Sequence, residues 1–170
     1  IEGSIIECGV LNGAGLLSFA KLSEIFEPYA IKRKIIGFDT FEGFPHINDK
    51  DKGKNFNPNV KKGAFKPANT TYDGILSSIE IFNNERYLNQ FNKIELVKGD
   101  ALRTIPDFVN ENKHLIVALL FLDFDIYEPT KIALKNLLPR MSKGSILVFD
   151  EINNAGWPGE TLALIEEIKD

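Results

Sequence analysis

The sequence predicts an α/β domain built on a doubly wound, mostly parallel sheet. Short apolar runs alternate with stretches of helical spacing along the chain, the pattern of successive βαβ units. One run, Leu115 to Leu122, is apolar without alternation, as a central parallel strand buried on both faces requires. Five apolar runs end in, or are followed at once by, acidic or glycine residues: Glu7-Cys8-Gly9, Asp39, Gly99-Asp100, Asp123-Phe124-Asp125 and Asp150-Glu151. Five such endings on one sheet edge describe a site, because open parallel sheets bind ligands beyond the carboxyl ends of their strands.

The elements follow in order. Ser4 to Cys8 reads as the first strand, Gly9 to Gly15 as a turn, and Leu16 to Phe26 as a helix through Leu17, Ala20, Leu22 and Ile25. Ile35 to Phe38 is the second strand, ending at Asp39. Residues 45–70 are rich in Lys, Asn, Asp, Gly and Pro, and a loop of that length reads as a lid, a binding segment or disorder. Helical spacing returns over Tyr72 to Phe82, with a short second helical turn expected near Tyr87 to Phe91. Ile94 to Lys98 is the third strand, and a helix is expected around Pro106 to Asn112. After the Leu115 to Leu122 strand come a helix over Thr130 to Leu138, a strand over Ser145 to Phe149, and a last helix from Pro158 to the end. Crossovers between parallel strands are right-handed, which leaves a doubly wound sheet as the economical topology. Neither an internal repeat nor a second domain is visible, so residues 1–170 read as one domain.

Composition narrows the class of partner. With 44% hydrophobic and 26% charged residues in 170, the chain can bury one core. A net charge of −4 gives no basic footprint for nucleic acid or an anionic membrane. The longest apolar run is too short to cross a bilayer. One cysteine, Cys8, excludes an internal disulfide and fits a reducing, cytoplasmic setting. The expected partner is a small molecule, and a homo-oligomer is left open.

Gly9, Gly13 and Gly15 lie between the first strand and its helix, where glycine permits close backbone approach by a ligand. Their G-x-x-x-G-x-G spacing is not the G-x-G-x-x-G dinucleotide fingerprint, and no Lys-Ser/Thr pair follows to make a phosphate-cradling loop. Glu7 before the turn would repel a pyrophosphate but suits a cationic ammonium group or water ordered beside one. Asp39 is placed to accept from ribose hydroxyls, and Asp100 to reach an adenine amino group. Adenosine with a positive charge and no phosphate describes S-adenosyl-L-methionine. Asp123, Asp125, Asp150 and Glu151 form a second cluster. Four carboxylates at neighbouring strand ends repel one another unless a hard, oxygen-seeking cation such as Mg²⁺, Mn²⁺ or Ca²⁺ sits among them, Mg²⁺ being the first expectation. Capping of the helices that follow is the alternative use of the same acids.

Three segments resemble the motifs of the macrocin O-methyltransferase family: Glu7-Cys8-Gly9-Val10-Leu11-Asn12-Gly13, the stretch from Gly37 to Pro45, and Leu122-Asp123-Phe124-Asp125-Ile126-Tyr127-Glu128-Pro129-Thr130. The resemblance spans nearly the whole chain. It implies a Rossmann-like class I methyltransferase fold and O-methylation of a sugar hydroxyl, the sugar being nucleotide-linked or part of a natural product. It implies cofactor contacts at Glu7, Gly9, Asn12, Gly13, Asp39, Thr40, Asp100 and Asp123. It further implies Asp123, Asp150 and Glu151 as metal ligands and Asp125 as general base. The family usually shows two aspartates where this chain has Asp150-Glu151. Such folds add two strands after the last helix, so a sequence stopping at Asp170 reads as truncated, without those C-terminal strands. Trp157-Pro158-Gly159 resembles a substrate-wall segment, with a packing anchor as the alternative. Lysines between Lys50 and Lys66 read as solvated surface or as contacts for substrate phosphates. His46 reads as a loop residue and His114 as structural. The rival readings are an NAD-dependent oxidoreductase, which explains Asp39 but neither the glycine spacing nor the second acid cluster, and a non-catalytic cofactor-binding domain.

Overall fold

A computed structural model describes residues 1–54 and 57–168. Five strands, β1 (Ser4–Cys8), β2 (Ile35–Asp39), β3 (Ile94–Lys98), β4 (Val117–Leu122) and β5 (Met141–Phe149), form one sheet in the order β3-β2-β1-β4-β5. Every pairing is parallel. Each strand must therefore reach the next through a crossover; α1 (Ala14–Phe26), α2 (Thr71–Glu85), α3 (Ala101–Glu111) and α4 (Tyr127–Leu137) supply the four, and α5 (Gly159–Glu167) follows β5. From β1 the chain winds outward to β3 on one side and then to β5 on the other. The loops therefore diverge above the β1–β4 pair and open a crevice there.

Apolar layers cover both sheet faces. On one, Ile6, Phe38, Leu120 and Leu122 pack against Ile105 and Phe108 of α3 and Leu134 and Leu137 of α4. The Phe38 and Phe108 rings meet edge to face at 5.4 Å. On the other, Ile35 and Ile94 meet Leu16 and Ala20 of α1 and Ile75 and Ile79 of α2. β4 lies between them, and Val117, Leu120 and Leu122 are wholly buried, which is why its sequence does not alternate.

Several boundaries move from their expected places. α3 starts at Ala101 rather than near Pro106, because Asp100 caps it: its Oδ1 accepts from the Leu102 amide at 3.0 Å. The cap outweighs the proline, which forgoes one hydrogen bond inside the helix. β5 begins at Met141, four residues before the expected start, and its early residues Ser142, Lys143 and Gly144 are exposed on the sheet edge. α4 starts at Tyr127, with Pro129 in its first turn. Tyr87 to Phe91 forms a turn closed by the Phe91 amide on the Leu88 carbonyl at 3.1 Å, not a helical turn. The last helix is described to Glu167; its expected run through 169–170 lies outside the described residues.

The long polar segment is docked. Its base is closed by the Phe44 amide on the Ala64 carbonyl (3.0 Å) and the Gly63 amide on the Phe44 carbonyl (2.8 Å). Inside, a short 3₁₀ turn (Asp49–Asp51) buries Asp51, only 1% exposed, whose carboxylate accepts the amides of Asn48 (2.7 Å) and Tyr127 (2.6 Å). Phe44 and Ala64 pack with Ile126 and Trp157 beneath it. Replacing Asp51 by Ala leaves two amides without their acceptor and is expected to cost about 2–3 kcal/mol. Urea denaturation, together with faster hydrogen exchange at the Tyr127 amide, measures this; unchanged exchange would show that the loop is held some other way.

Candidate functional site

The carboxyl ends of the strands border a cavity of about 360 Å³. Gly9, Asp39, Thr40, Gly99, Asp100, Asp123, Asp125, Asp150 and Glu151 line it, so all five strand endings singled out in the sequence contribute. The apolar side of the wall comes from Leu11, Phe44, Phe65, Phe124, Ile126 and Pro129. Among the described residues six acids line the cavity and no Lys, Arg or His does. Such a wall favours a cation and opposes phosphate.

Each acid is placed by its backbone surroundings. Asp39 draws the β1 turn onto β2: its Oδ2 accepts the amides of Val10 and Leu11, both at 2.8 Å, and its Oδ1 that of Phe41 at 2.6 Å. One acceptor position on Oδ1 is left for a ligand. Asp100 caps α3 through Oδ1 while standing on the cavity wall. The hydroxyl of Thr40 is engaged locally, donating to the Gly43 carbonyl at 2.8 Å. Asp125 has φ of +61°, so the extended conformation of β4 does not persist through it, yet Asp123 and Asp125 both reach the cavity.

The charges press on one another. Burial first, then Asp150, Glu151 and Asp39, push Asp123 up to about 6. Burial, then Asp123, Glu151 and Asp150, push Asp125 up to about 7. Among the described residues, however, no three acids, histidines or cysteines are set to close on one ion. The Glu151 carboxylate instead accepts from the Asn154 side chain.

Three of the expected cofactor residues, Glu7, Asn12 and Gly13, stand off the cavity wall. Asn12 is exposed. Gly13, with φ of +79°, caps α1, and a side chain there would press on Ile75. Glu7 lies beneath the turn, 3% exposed, with Oε2 lacking any hydrogen-bond partner. Its neighbour explains Gly15, where a Cβ would overlap Glu7 Oε1. Gly9 (φ +97°) likewise leaves room for the Asp123 carbonyl of the adjoining strand. The glycine spacing thus answers to internal packing at all three positions, and Gly9 alone of the three also borders the cavity.

Trp157 is an anchor, packed behind Phe44 (ring centroids 5.9 Å) and Phe65 (5.9 Å), which face the cavity in its place. Lys50, Lys52 and Lys66 are tied to Glu166, Asp49 and Glu42. His46 Nε2 sits 2.6 Å from Glu128 Oε2 but without hydrogen-bond alignment, and His114 is exposed rather than structural. Glu160 was missed. It is fully buried at the start of α5, and its carboxyl is pushed up to about 8, by burial first and Asp125 among the charges. In sequence it is one acid in a helical stretch, and nothing marks it as turned inward.

No helix among the described residues is long and apolar enough to cross a membrane. The parallel sheet, its strand order and the acid-lined crevice over its carboxyl edge define the Rossmann-like class I methyltransferase fold. A family model described as macrocin-O-methyltransferase (TylF) matches residues 1–159, and the chain belongs to that family. CalS11, a calicheamicin methyltransferase, superposes with a TM-score of 0.92 at 36% identity over 98% of this chain and 64% of its own. The apo form of CalS11, described as a TDP-rhamnose 3'-O-methyltransferase, gives 0.78 at 33% identity, covering 98% and 63%. The O-methyltransferase NovP shares the fold, with a TM-score of 0.68 at 22% identity over 98% of this chain and 63% of its own. A tetracenomycin-C rhamnosyl 4'-O-methyltransferase of Streptomyces olivaceus is 25% identical over 151 residues, 89% of this chain and 53% of the relative. The chain thus spans about half the length of the curated relative it matches.

Glu7 gives a pH signature. Burial, then Asp123, raises it from 4.5 to about 8. Between those values the folded state holds a proton that the unfolded chain has lost, so the stabilisation is full below 4.5 and disappears as pH rises toward 8. Glu7→Gln is expected to flatten the fall in stability between pH 5 and 8, by up to about 1.4 kcal/mol per pH unit. Denaturant melts across that range read the difference; parallel slopes for wild type and variant would refute it.

Proposed function

We propose that this chain forms the cofactor-binding part of an S-adenosylmethionine-dependent, divalent-metal-assisted O-methyltransferase acting on a sugar hydroxyl. The sugar is a deoxyhexose, carried by a natural product or a nucleotide. The observation that supports this most is the cavity wall of six acids and no base. It fits a cationic, phosphate-free adenosine and speaks against NAD, whose pyrophosphate would face only carboxylates. The described substrates of CalS11 and of the tetracenomycin relative, both rhamnose derivatives, support the choice of acceptor.

In this reading Asp39 holds the ribose with its remaining acceptor position, Asp100 receives the adenine amino group, and Gly9 lets the ligand approach the backbone. Asn12, Gly13 and Thr40 shape the turn around it. Glu7 Oε2, buried beneath the turn and unpartnered, is free to bond a water ordered beside the amino group. S-adenosylmethionine supplies the electrophilic methyl. Asp123, Asp150 and Glu151 would be the residues to hold a divalent cation such as Mg²⁺; they do not converge on one point as they stand, and a cation drawing them together would relieve the repulsion that penalises the ionised Asp123. Glu151 joins the set only by releasing Asn154. The chemistry such a cation would supply is Lewis-acid polarisation of the acceptor oxygen. Asp125, raised to about 7 by burial and its acidic neighbours, is matched to take the hydroxyl proton near neutral pH. The apolar wall of Phe44, Phe65 and Ile126 excludes water and holds the acceptor at near-attack distance.

Calorimetry on the full-length protein should show binding of S-adenosylmethionine and none of NAD; the reverse result would overturn the assignment. Asp125→Asn is expected to lower kcat about 10²–10⁴-fold, with cofactor affinity within about twofold of wild type. Full activity in that variant would remove Asp125 as base. Exhaustive chelation is expected to abolish turnover and added Mg²⁺ to restore it, whereas activity surviving chelation would exclude the metal.

A further inference from the structure

We infer that Glu160 is a positioning residue that sets the spacing between the two acid-bearing loops of the site. This rests on the metal-and-base reading of Asp123, Asp125, Asp150 and Glu151 given above. Glu160 is the second residue of α5, and its side chain is completely buried. Among the described residues it has no ion-pair partner. Its compensation comes from three backbone amides on two different loops. Oε1 accepts from Phe124 and Asp125, each at 3.1 Å, and Oε2 accepts from Glu151 at 3.2 Å. One rigid carboxylate therefore joins the loop after β4 to the loop after β5.

The local backbone is shaped to meet it. Two consecutive amides, those of Phe124 and Asp125, turn to the same oxygen, and Asp125 adopts φ of +61°, a left-handed conformation that aspartate tolerates better than most non-glycine residues. With its amide drawn back to Glu160, the Asp125 side chain remains on the cavity wall. Glu151 is treated alike, its amide held by Glu160 and its carboxylate lining the cavity. Burying a carboxylate with no cation is a poor way to gain stability, since an apolar residue of similar volume does as well or better. What the carboxylate supplies that an apolar side chain cannot is a fixed distance between the two pairs of acids. Residues of this kind change metal affinity or activity about 10- to 100-fold when replaced.

Glu160→Gln tests this in the full-length protein. The amide keeps one acceptor oxygen and presents an NH₂ group where the second was, so one of the two loops loses its tie. Mn²⁺ affinity by calorimetry is expected to fall about 10- to 100-fold, with kcat falling alongside and S-adenosylhomocysteine affinity within about twofold of wild type. The amide NMR signals of Phe124, Asp125 and Glu151 should shift and exchange faster. Glu166→Ala, on the same helix but tied to Lys50 and Lys131, controls for loss of stability alone and should leave Mn²⁺ affinity unchanged. If Glu160→Gln does not fold, Glu160→Asp, too short to span both loops, is read the same way. Wild-type Mn²⁺ affinity in the Glu160 variant, or equal loss of Mn²⁺ and S-adenosylhomocysteine binding, would overturn the positioning role. A wild-type protein that binds neither ligand would instead overturn the functional reading, and the amide signals would still report on the tie.

Discussion

Carboxylates at the edge of this sheet are held by backbone amides rather than by cationic side chains, and most of the site's properties follow from that. Asp39 takes three amides, Asp51 two, Glu160 three and Asp100 one. An amide satisfies an oxygen's hydrogen bonding while supplying only a partial charge, whereas a lysine or arginine would cancel the negative charge outright. The basic residues are spent elsewhere: Arg33 on Glu27, Arg86 on Glu24, Lys131 on Glu166. The potential in the cavity is thus left negative, and a cationic ligand meets it undiminished.

That arrangement has a cost, visible as acids pushed upward. Glu7 at about 8, Asp125 at about 7 and Asp123 at about 6 are all shifted first by burial and then by carboxylate neighbours. The ionised site is destabilised by its own crowding, so any cation entering it relieves repulsion as well as gaining contacts. Binding sites of this type trade stability for affinity, the same exchange that keeps strained backbone at functional positions. The positive φ of Asp125 coincides with the hydrogen bond of its amide to Glu160.

The sheet was legible in the sequence because parallel strands buried on both faces cannot hide: their apolar runs, and the acid or glycine after each, are local signals. Boundaries were less legible where two local signals compete. Pro106 suggests a helix start, but Asp100, six residues earlier, supplies the cap and α3 begins there. The polar segment 45–70 read as a lid, binding segment or disorder because its anchors are non-local. Asp51 is satisfied by the amide of Tyr127 and Phe44 by the ring of Trp157, and neither partner is near it in sequence. Glu160 was invisible for the same reason, since its three donors lie nine to thirty-six residues away. The glycine turn is legible, and the structure adds causes the sequence does not show: Glu7 beside Gly15, Ile75 beside Gly13 and the Asp123 carbonyl beside Gly9.

The two kinds of wall around the cavity come from different parts of the chain, and this bears on how such a site changes its substrate. The acids sit at strand ends, where sheet register fixes Asp39 beside β1 and Asp123 beside Asp150. Their positions cannot drift without moving a strand. Phe44, Pro45 and Phe65 instead belong to a loop closed at its base by two backbone hydrogen bonds and docked through Asp51. That loop can change length and sequence beyond its anchors without disturbing the sheet. On the proposed reading, a fold so divided keeps the acids that would meet the cofactor on rigid elements. Acceptor choice would then fall to a segment anchored by a buried carboxyl group and a few aromatic contacts.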